Sequence, residues 1–215
     1  MVGLARAWAS ACHSSTPLGD GLATVDRQFC RVLLVSGLAP DGTVSISAQQ
    51  VQDQSLEPLQ PWFALDPKDL LQASGSLTLQ FDWPRSAEDP RELSEITELR
   101  LWSLRADALC PWLPLLLERS SGQLTRHVAM LLPHQFSRSE GIRFAPDSLE
   151  LWMTHRLYLL DHWSRGYGLN CRGNLEQMAA VLGRKKLTDA DFDLATRTVT
   201  QIVLKGCGIK PPSPP

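Results

Sequence analysis

The chain has 215 residues, a formal net charge of −2, and 43% hydrophobic against 20% charged residues. That composition excludes a disordered chain, and the length allows one buried core without disulfides or metals. The slight acidic excess argues against nonspecific nucleic-acid binding as the main activity, because neutralising phosphates needs a surplus of basic residues.

The five cysteines, Cys12, Cys30, Cys110, Cys171 and Cys207, are odd in number and widely spaced. No CxxC or CxH pairing occurs, so they read as free thiols in a reducing compartment rather than as a zinc or redox motif. No run approaches the roughly 18–20 apolar residues of a membrane-spanning helix. The apolar start, MVGLARAWASA, is broken by Gly3 and Arg6 and is too short for a signal-peptide core. Residues 1–24 read as a poorly ordered leader, 25–205 as one domain and 206–215 as a Gly/Pro-rich tail.

In chain order, Cys30 to Val35 (CRVLLV) has the length of a strand. Pro40-Asp41-Gly42 is a turn signal, and Val44, Ile46 and Ala48 alternate with serines, so a hairpin is expected. Asp66-Pro67 starts a short helix, with Asp capping and Pro at the first helical position. Leu77, Leu79, Phe81 and Trp83 alternate with polar residues, the pattern of a half-buried strand that Pro84 ends. A charged loop, Arg85 to Glu95, follows. Leu99 to Arg105 (LRLWSLR) reads as a second strand, antiparallel to the first. Trp112 lies between Pro111 and Pro114 in a short helix or turn. Val128 to Leu132 (VAMLL), apolar throughout, reads as a central strand.

Helices follow. Pro146 to Arg165 places Leu149, Trp152, Met153, Leu157, Leu160 and Trp163 on one stripe, closed by Gly166 and Gly168. Asn174 to Leu182 has Asn174 and Gln177 at capping-box spacing, with Gly183 at its end. A third helix starts at Thr188, with Phe192, Ala195, Val199 and Ile202 as its apolar side. Strands first and helices last give an α+β fold: an antiparallel sheet with C-terminal helices packed mainly on one face.

The chemistry-bearing residues form no recognised motif. His155 and His162 are seven apart, about 10 Å along a helix axis, too far for one metal. His127 and His134 flank the apolar run, where Asp107 or Glu118 would complete an acid–base pair, but no spacing selects one. Ser137, Ser139 and Ser148 lack a GxSxG elbow, and no phosphate-binding glycine loop occurs. No cofactor or metal is implied. Two alternatives remain open. One is a hydrolase or lyase using His134 with Glu140 or Asp107. The other is RNA binding through exposed tryptophans and the cluster Gly183-Arg184-Lys185-Lys186. The candidate partner-binding residues are Trp83, Arg85, Arg91, Glu92, Trp112 and His134, because Trp and Arg near proline-bounded loops suit protein interfaces.

The blocks WPRSAEDPRELSEITELRLWSLR (Trp83–Arg105), CPWLPLLLE (Cys110–Glu118) and MLLPHQFSRSEGIRF (Met130–Phe144) carry a family resemblance. So do PDSLELWMTHRLYLLDHW and LEQMAAVLG after them. Together, over roughly Leu70 to Leu194, the sequence resembles the chlororespiratory-reduction assembly factors of cyanobacteria and chloroplasts. The resemblance implies a soluble, non-catalytic factor of the cyanobacterial cytoplasm or plastid stroma. It implies a protein client, an iron–sulfur-bearing peripheral-arm subunit of the photosynthetic NAD(P)H dehydrogenase-like complex, bound during maturation. It implies neither nucleic acid nor an integral membrane segment, and it carries over no catalytic residue. The leader, the helix after Gly183 and the proline tail depart from the family pattern and leave the binding face undefined.

Overall fold

Ser47 ends a strand and starts a helix at once. Its hydroxyl accepts from Gln50 N at 3.2 Å while Gln50 Oε1 accepts from Ser47 N at 2.9 Å, a reciprocal capping box. The structure, a computed structural model, describes residues 42–206 except Ser74, Pro90 and Lys185. The leader, the strand Cys30 to Val35 with its hairpin, and the tail lie outside the described residues. Described residues up to Thr196 form one compact unit, and Arg197 to Gly206, the end of the last helix, fall outside it.

Strand β1 (Thr43–Ser47) leads through α1 (Ala48–Gln52), a 3-10 turn (Glu57–Leu59), α2 (Gln60–Phe63) and α3 (Pro67–Gln72) to β2 (Thr78–Asp82). The two strands pair in parallel, Val44 opposite Leu79 and Ile46 opposite Phe81. Helical crossovers are how parallel neighbours connect. Gly42 is required at the start of this pair, because a Cβ there would collide with the Ser76 carbonyl. Asp66 caps α3, accepting from Lys68 N at 2.9 Å with Pro67 in the first turn, as the sequence indicates.

The chain then becomes helical: α4 (Thr97–Leu109), α5 (Leu113–Leu116) and α6 (Gln123–Ala129). A hairpin, β3 (His134–Ser137) and β4 (Gly141–Phe144), pairs antiparallel, with Gly141 at φ 71° closing its turn. Helices α7 (Pro146–Gly166), α8 (Arg172–Val181) and α9 (Asp189–Gly206) follow. The fold is therefore α+β with a small antiparallel sheet and C-terminal helices.

Two expected strands are helices. Leu99 to Arg105 lies in α4, so β2 has β1 and the Leu117 bridge beside it instead of an antiparallel partner. The buried positions of α4 are Leu99, Trp102, Ser103, Ala106 and Asp107, a helical i, i+3, i+4, i+7, i+8 series. Leu101 and Leu104 are exposed, and their presence mimics a shorter period. Val128 to Leu132 begins as the last turn of α6, whose buried side is Leu124, His127, Val128 and Ala129. A buried histidine hides that periodicity. Helix α8 begins at Arg172, ahead of the Asn174 expected, and ends before Gly183 at φ 83°.

The core joins β1, β2, α4 and the leucines of α5 with α7 and α8. Trp62 and Trp102 are fully buried, and Trp102 donates to Ser55 O at 2.9 Å while Phe81 meets its ring edge-on at 5.4 Å. Trp112, 7% exposed, packs edge-on against Phe63 at 5.7 Å. Trp112→Ala should therefore act as a core deletion, costing about 3–5 kcal/mol in denaturant unfolding; a loss under about 1 kcal/mol, the range of surface substitutions, would contradict this packing.

Candidate functional site

The charged loop after β2 is held in shape by its own side chains. Arg91 grips Asp89 with two nitrogens, Nε at 2.9 Å and Nη2 at 2.6 Å, and Asp89 also accepts from Arg91 N. These bonds hold the Asp89 carboxyl well below the usual carboxylate range. Arg85 donates to the Asp89 carbonyl at 2.6 Å. The loop then enters a 3-10 turn (Leu93–Glu95), and Ser94 O accepts from Arg100 Nε of α4, which ties loop to helix.

Beside this loop lies a groove of about 230 Å³. Its apolar wall is Leu93, Ala129, Met130 and Ile142, and Arg85, Glu92 and Arg126 line it as well. Ser94 also lines it, and Ser94 Oγ lies 3.1 Å from His134 Nε2. In the neutral ring Nδ1–H donates to Leu132 O at 3.1 Å and Nε2 accepts from the serine. Thus Arg85, Glu92 and, through Ser94, His134 meet at one groove. Arg91 is exposed on the same loop but engaged with Asp89, Trp83 is half-buried against the core, and Trp112 is buried. Sequence reasoning missed Arg126 and Ile142, which the misread strand and the unforeseen hairpin placed elsewhere.

A second polar cluster is enclosed. Asp107 of α4 is ion-paired to Arg156 of α7 through Oδ2, accepts from His127 Nε2 of α6 at 3.3 Å and from Trp152 Nε1 at 3.4 Å. The Arg156 guanidinium lies 5.7 Å from the Trp152 ring centre. His127, Asp107 and Arg156 are 2%, 3% and 4% exposed. Among the described residues, His127 Nδ1 has no partner, nor have Arg156 Nε and Nη1. Burial pushes His127 down to about 4 and Arg156 down to about 10. Asp107 does not hold the imidazole protonated, since Arg156 already matches its charge and a proton on Nδ1 would be a buried donor with no acceptor.

So a histidine and a carboxylate do meet, but neither reaches a surface from which a substrate proton could be exchanged. His134 is paired with Ser94 and not with Asp107, and Glu140 pairs with Arg143 on the exposed hairpin at 2.8 Å. His162 stacks on Tyr158 at 5.9 Å. Arg184 of the basic cluster pairs with Glu150 at 3.1 Å and Asp191 at 3.7 Å. Cys110 is buried, and burial pushes its thiol up to about 12, an inert state. Among the described residues no group of three or more His, Cys, Asp or Glu could hold a metal, and no helix is long and apolar enough to cross a membrane.

Comparison with known proteins gives one family: a family model described as chlororespiratory reduction 6 matches residues 46–194. The match begins within β1, ahead of the Leu70 at which the resemblance in the sequence starts, and ends in α9. No solved structure matches.

The enclosed cluster predicts a pH dependence. The unfolded chain takes up a proton at the ordinary histidine value of 6.5, whereas folded His127 resists until about 4. Its contribution to stability is complete above pH 6.5 and is lost progressively as the pH falls toward 4. Between pH 7 and 5 the wild type should lose at least about 3 °C more in thermal midpoint than His127→Gln, which cannot titrate. Equal losses would place the acid sensitivity elsewhere.

Proposed function

The chain belongs to the chlororespiratory reduction 6 family, and from that premise we propose that it is a non-catalytic assembly factor whose client is an iron–sulfur-bearing peripheral-arm subunit of the photosynthetic NAD(P)H dehydrogenase-like complex. The family is associated with assembly of that complex. The observation that carries the reading is the family match across well over half of the chain. On this reading the protein works in the cyanobacterial cytoplasm or plastid stroma, holds no cofactor of its own, and binds the client transiently.

The client-binding face in this proposal is the groove between the Arg85–Glu95 loop and the hairpin. What supports it is physical. The loop is organised before any partner arrives, which lowers the entropy cost of docking. The apolar wall of Leu93, Ala129, Met130 and Ile142 takes an apolar side chain, while Arg85 and Arg126 supply exposed cations. His134, fixed by two hydrogen bonds, holds Ser94 in the wall. Trp83, at the start of the loop, packs against the core, and Trp112 is part of that core. Arg91 and Glu92 complete the charged edge.

The test is affinity purification of the tagged protein from its own cells, with mass spectrometry of what accompanies it. Dehydrogenase-complex subunits should appear in substoichiometric assembly intermediates. The Arg85→Glu/Arg126→Glu variant should recover about tenfold less, equivalent to about 1.4 kcal/mol, at an unchanged melting temperature. Recovery of no complex subunit would refute the assembly reading, whereas full recovery with the variant would refute the groove alone.

A further inference from the structure

Helix α4 carries more apolar surface than its core side uses. Opposite the buried series lie Leu101 and Leu104, 45% and 50% exposed, while Leu109, 58% exposed, stands at the C-terminal end of the helix in line with Trp102 two turns before it. Thr97, Glu98, Arg105 and Ala108 share that outer face. Leu101 and Leu104 are about 60° apart around the axis with Ala108 between them, and Leu101 to Leu109 spans about 12 Å along it. The outer face of a surface helix is ordinarily polar, and a contiguous exposed apolar patch marks an interaction site.

Next to this patch, past Arg105, is a cleft of about 610 Å³. Arg105 and Leu109 form its α4 side, and Leu56, Phe63, Asp53 and Glu57 lie across from them. Arg105 is the one cation among the residues lining it. Among the described residues no cation pairs with Asp53, Glu57 or Glu98; Asp53 accepts only from Gln49 Nε2 at 3.0 Å. The cleft and stripe share no lining residue with the Arg85–Arg126 groove.

We propose that the outer face of α4 and this cleft dock a basic amphipathic helix of a partner protein. Apolar residues at i, i+3 or i+4, and i+7 of the partner lie against Leu101, Leu104 and Ala108, and one enters the cleft beside Leu109 toward Phe63 and Leu56. Lysines or arginines flanking that stripe reach Asp53 and Glu57 at one end and Glu98 at the other. Charge complementarity selects this occupant over a second copy of the chain, because self-pairing would bring the acidic edges of two copies together. The proposal does not depend on the identity of the client or on the groove.

The probes are two labelled synthetic peptides of about 18 residues, five helical turns, with the same leucine stripe and either lysine or glutamate on the polar side. Binding to the full chain is read by fluorescence anisotropy at low and moderate salt. The lysine peptide should bind at least about tenfold more tightly than the glutamate peptide and weaken with salt. The Leu101→Glu/Leu104→Glu variant should bind it about tenfold more weakly, although the added carboxylates alone would tighten it. Asp53→Asn/Glu57→Gln should weaken it several-fold. Thermal midpoints should hold, and Leu109→Ser at the helix end gives the same readout with less disturbance. Equal binding of both peptides, or tighter lysine-peptide binding by the leucine variant, would overturn the proposal. So would a concentration-dependent dimer in sedimentation velocity that the leucine variant abolishes, which would assign the face to a second copy.

Discussion

Placing a carboxylate and a guanidinium out of water costs several kcal/mol for each, and Asp107 and Arg156 are both nearly fully enclosed. Each is tolerable only because the other is present. Asp107 comes from α4, Arg156 and Trp152 from α7, and His127 from α6, so one carboxylate gathers donors from two other helices and joins three. Apolar contacts are indifferent to small sliding of one helix over another, but hydrogen bonds to a single carboxylate are not. The cluster thus fixes the register of α4 against α6 and α7.

That register decides what reaches the surface. With Asp107 and Trp102 turned inward, α4 must present Leu101 and Leu104 outward. With His127 turned inward, α6 presents Arg126 toward the loop and lays Ala129 and the following Met130 along the groove. The polar chemistry that a search for catalysis singles out, a histidine beside an aspartate, serves here as an internal fastener. The surfaces it sets are apolar strips bordered by unlike charges, which suits recognition of another protein more than transformation of a small molecule.

Local signals legible in the sequence were those with a local physical cause. Asp66-Pro67 capping needs only its own turn, and the stripe of α7 is long enough to be unambiguous. Ser47 to Gln50 is a capping box of the S-x-x-Q kind, although an alternating run just before it draws the eye to a strand. What was not legible depended on partners distant in sequence. Leu101 and Leu104 are leucines that stay outside, and Asp107 and His127 are polar residues that go inside, so hydrophobicity misreports both helices. The hairpin of β3 and β4 has four residues in each strand, too short for its alternation to register, and only Gly141 hints at it. Of the candidate surface, Arg85, Arg91 and Glu92 were legible as a charged loop, but their neighbours Arg126 and Ile142 became visible only in three dimensions. Trp112 looked like an interface residue because two prolines flank it, and burial against Phe63 makes it part of the core.

The claim on which the rest depends is that Asp107 and Arg156 act as one unit. A double-mutant cycle of Asp107→Asn and Arg156→Met, read by denaturant unfolding at neutral pH, measures this directly. Each single variant should lose about 3–5 kcal/mol, and the double variant should lose far less than the sum, with a coupling on the order of 2–3 kcal/mol. Additive losses, or single losses under about 1 kcal/mol, would contradict it and remove the reason for the outward face of α4.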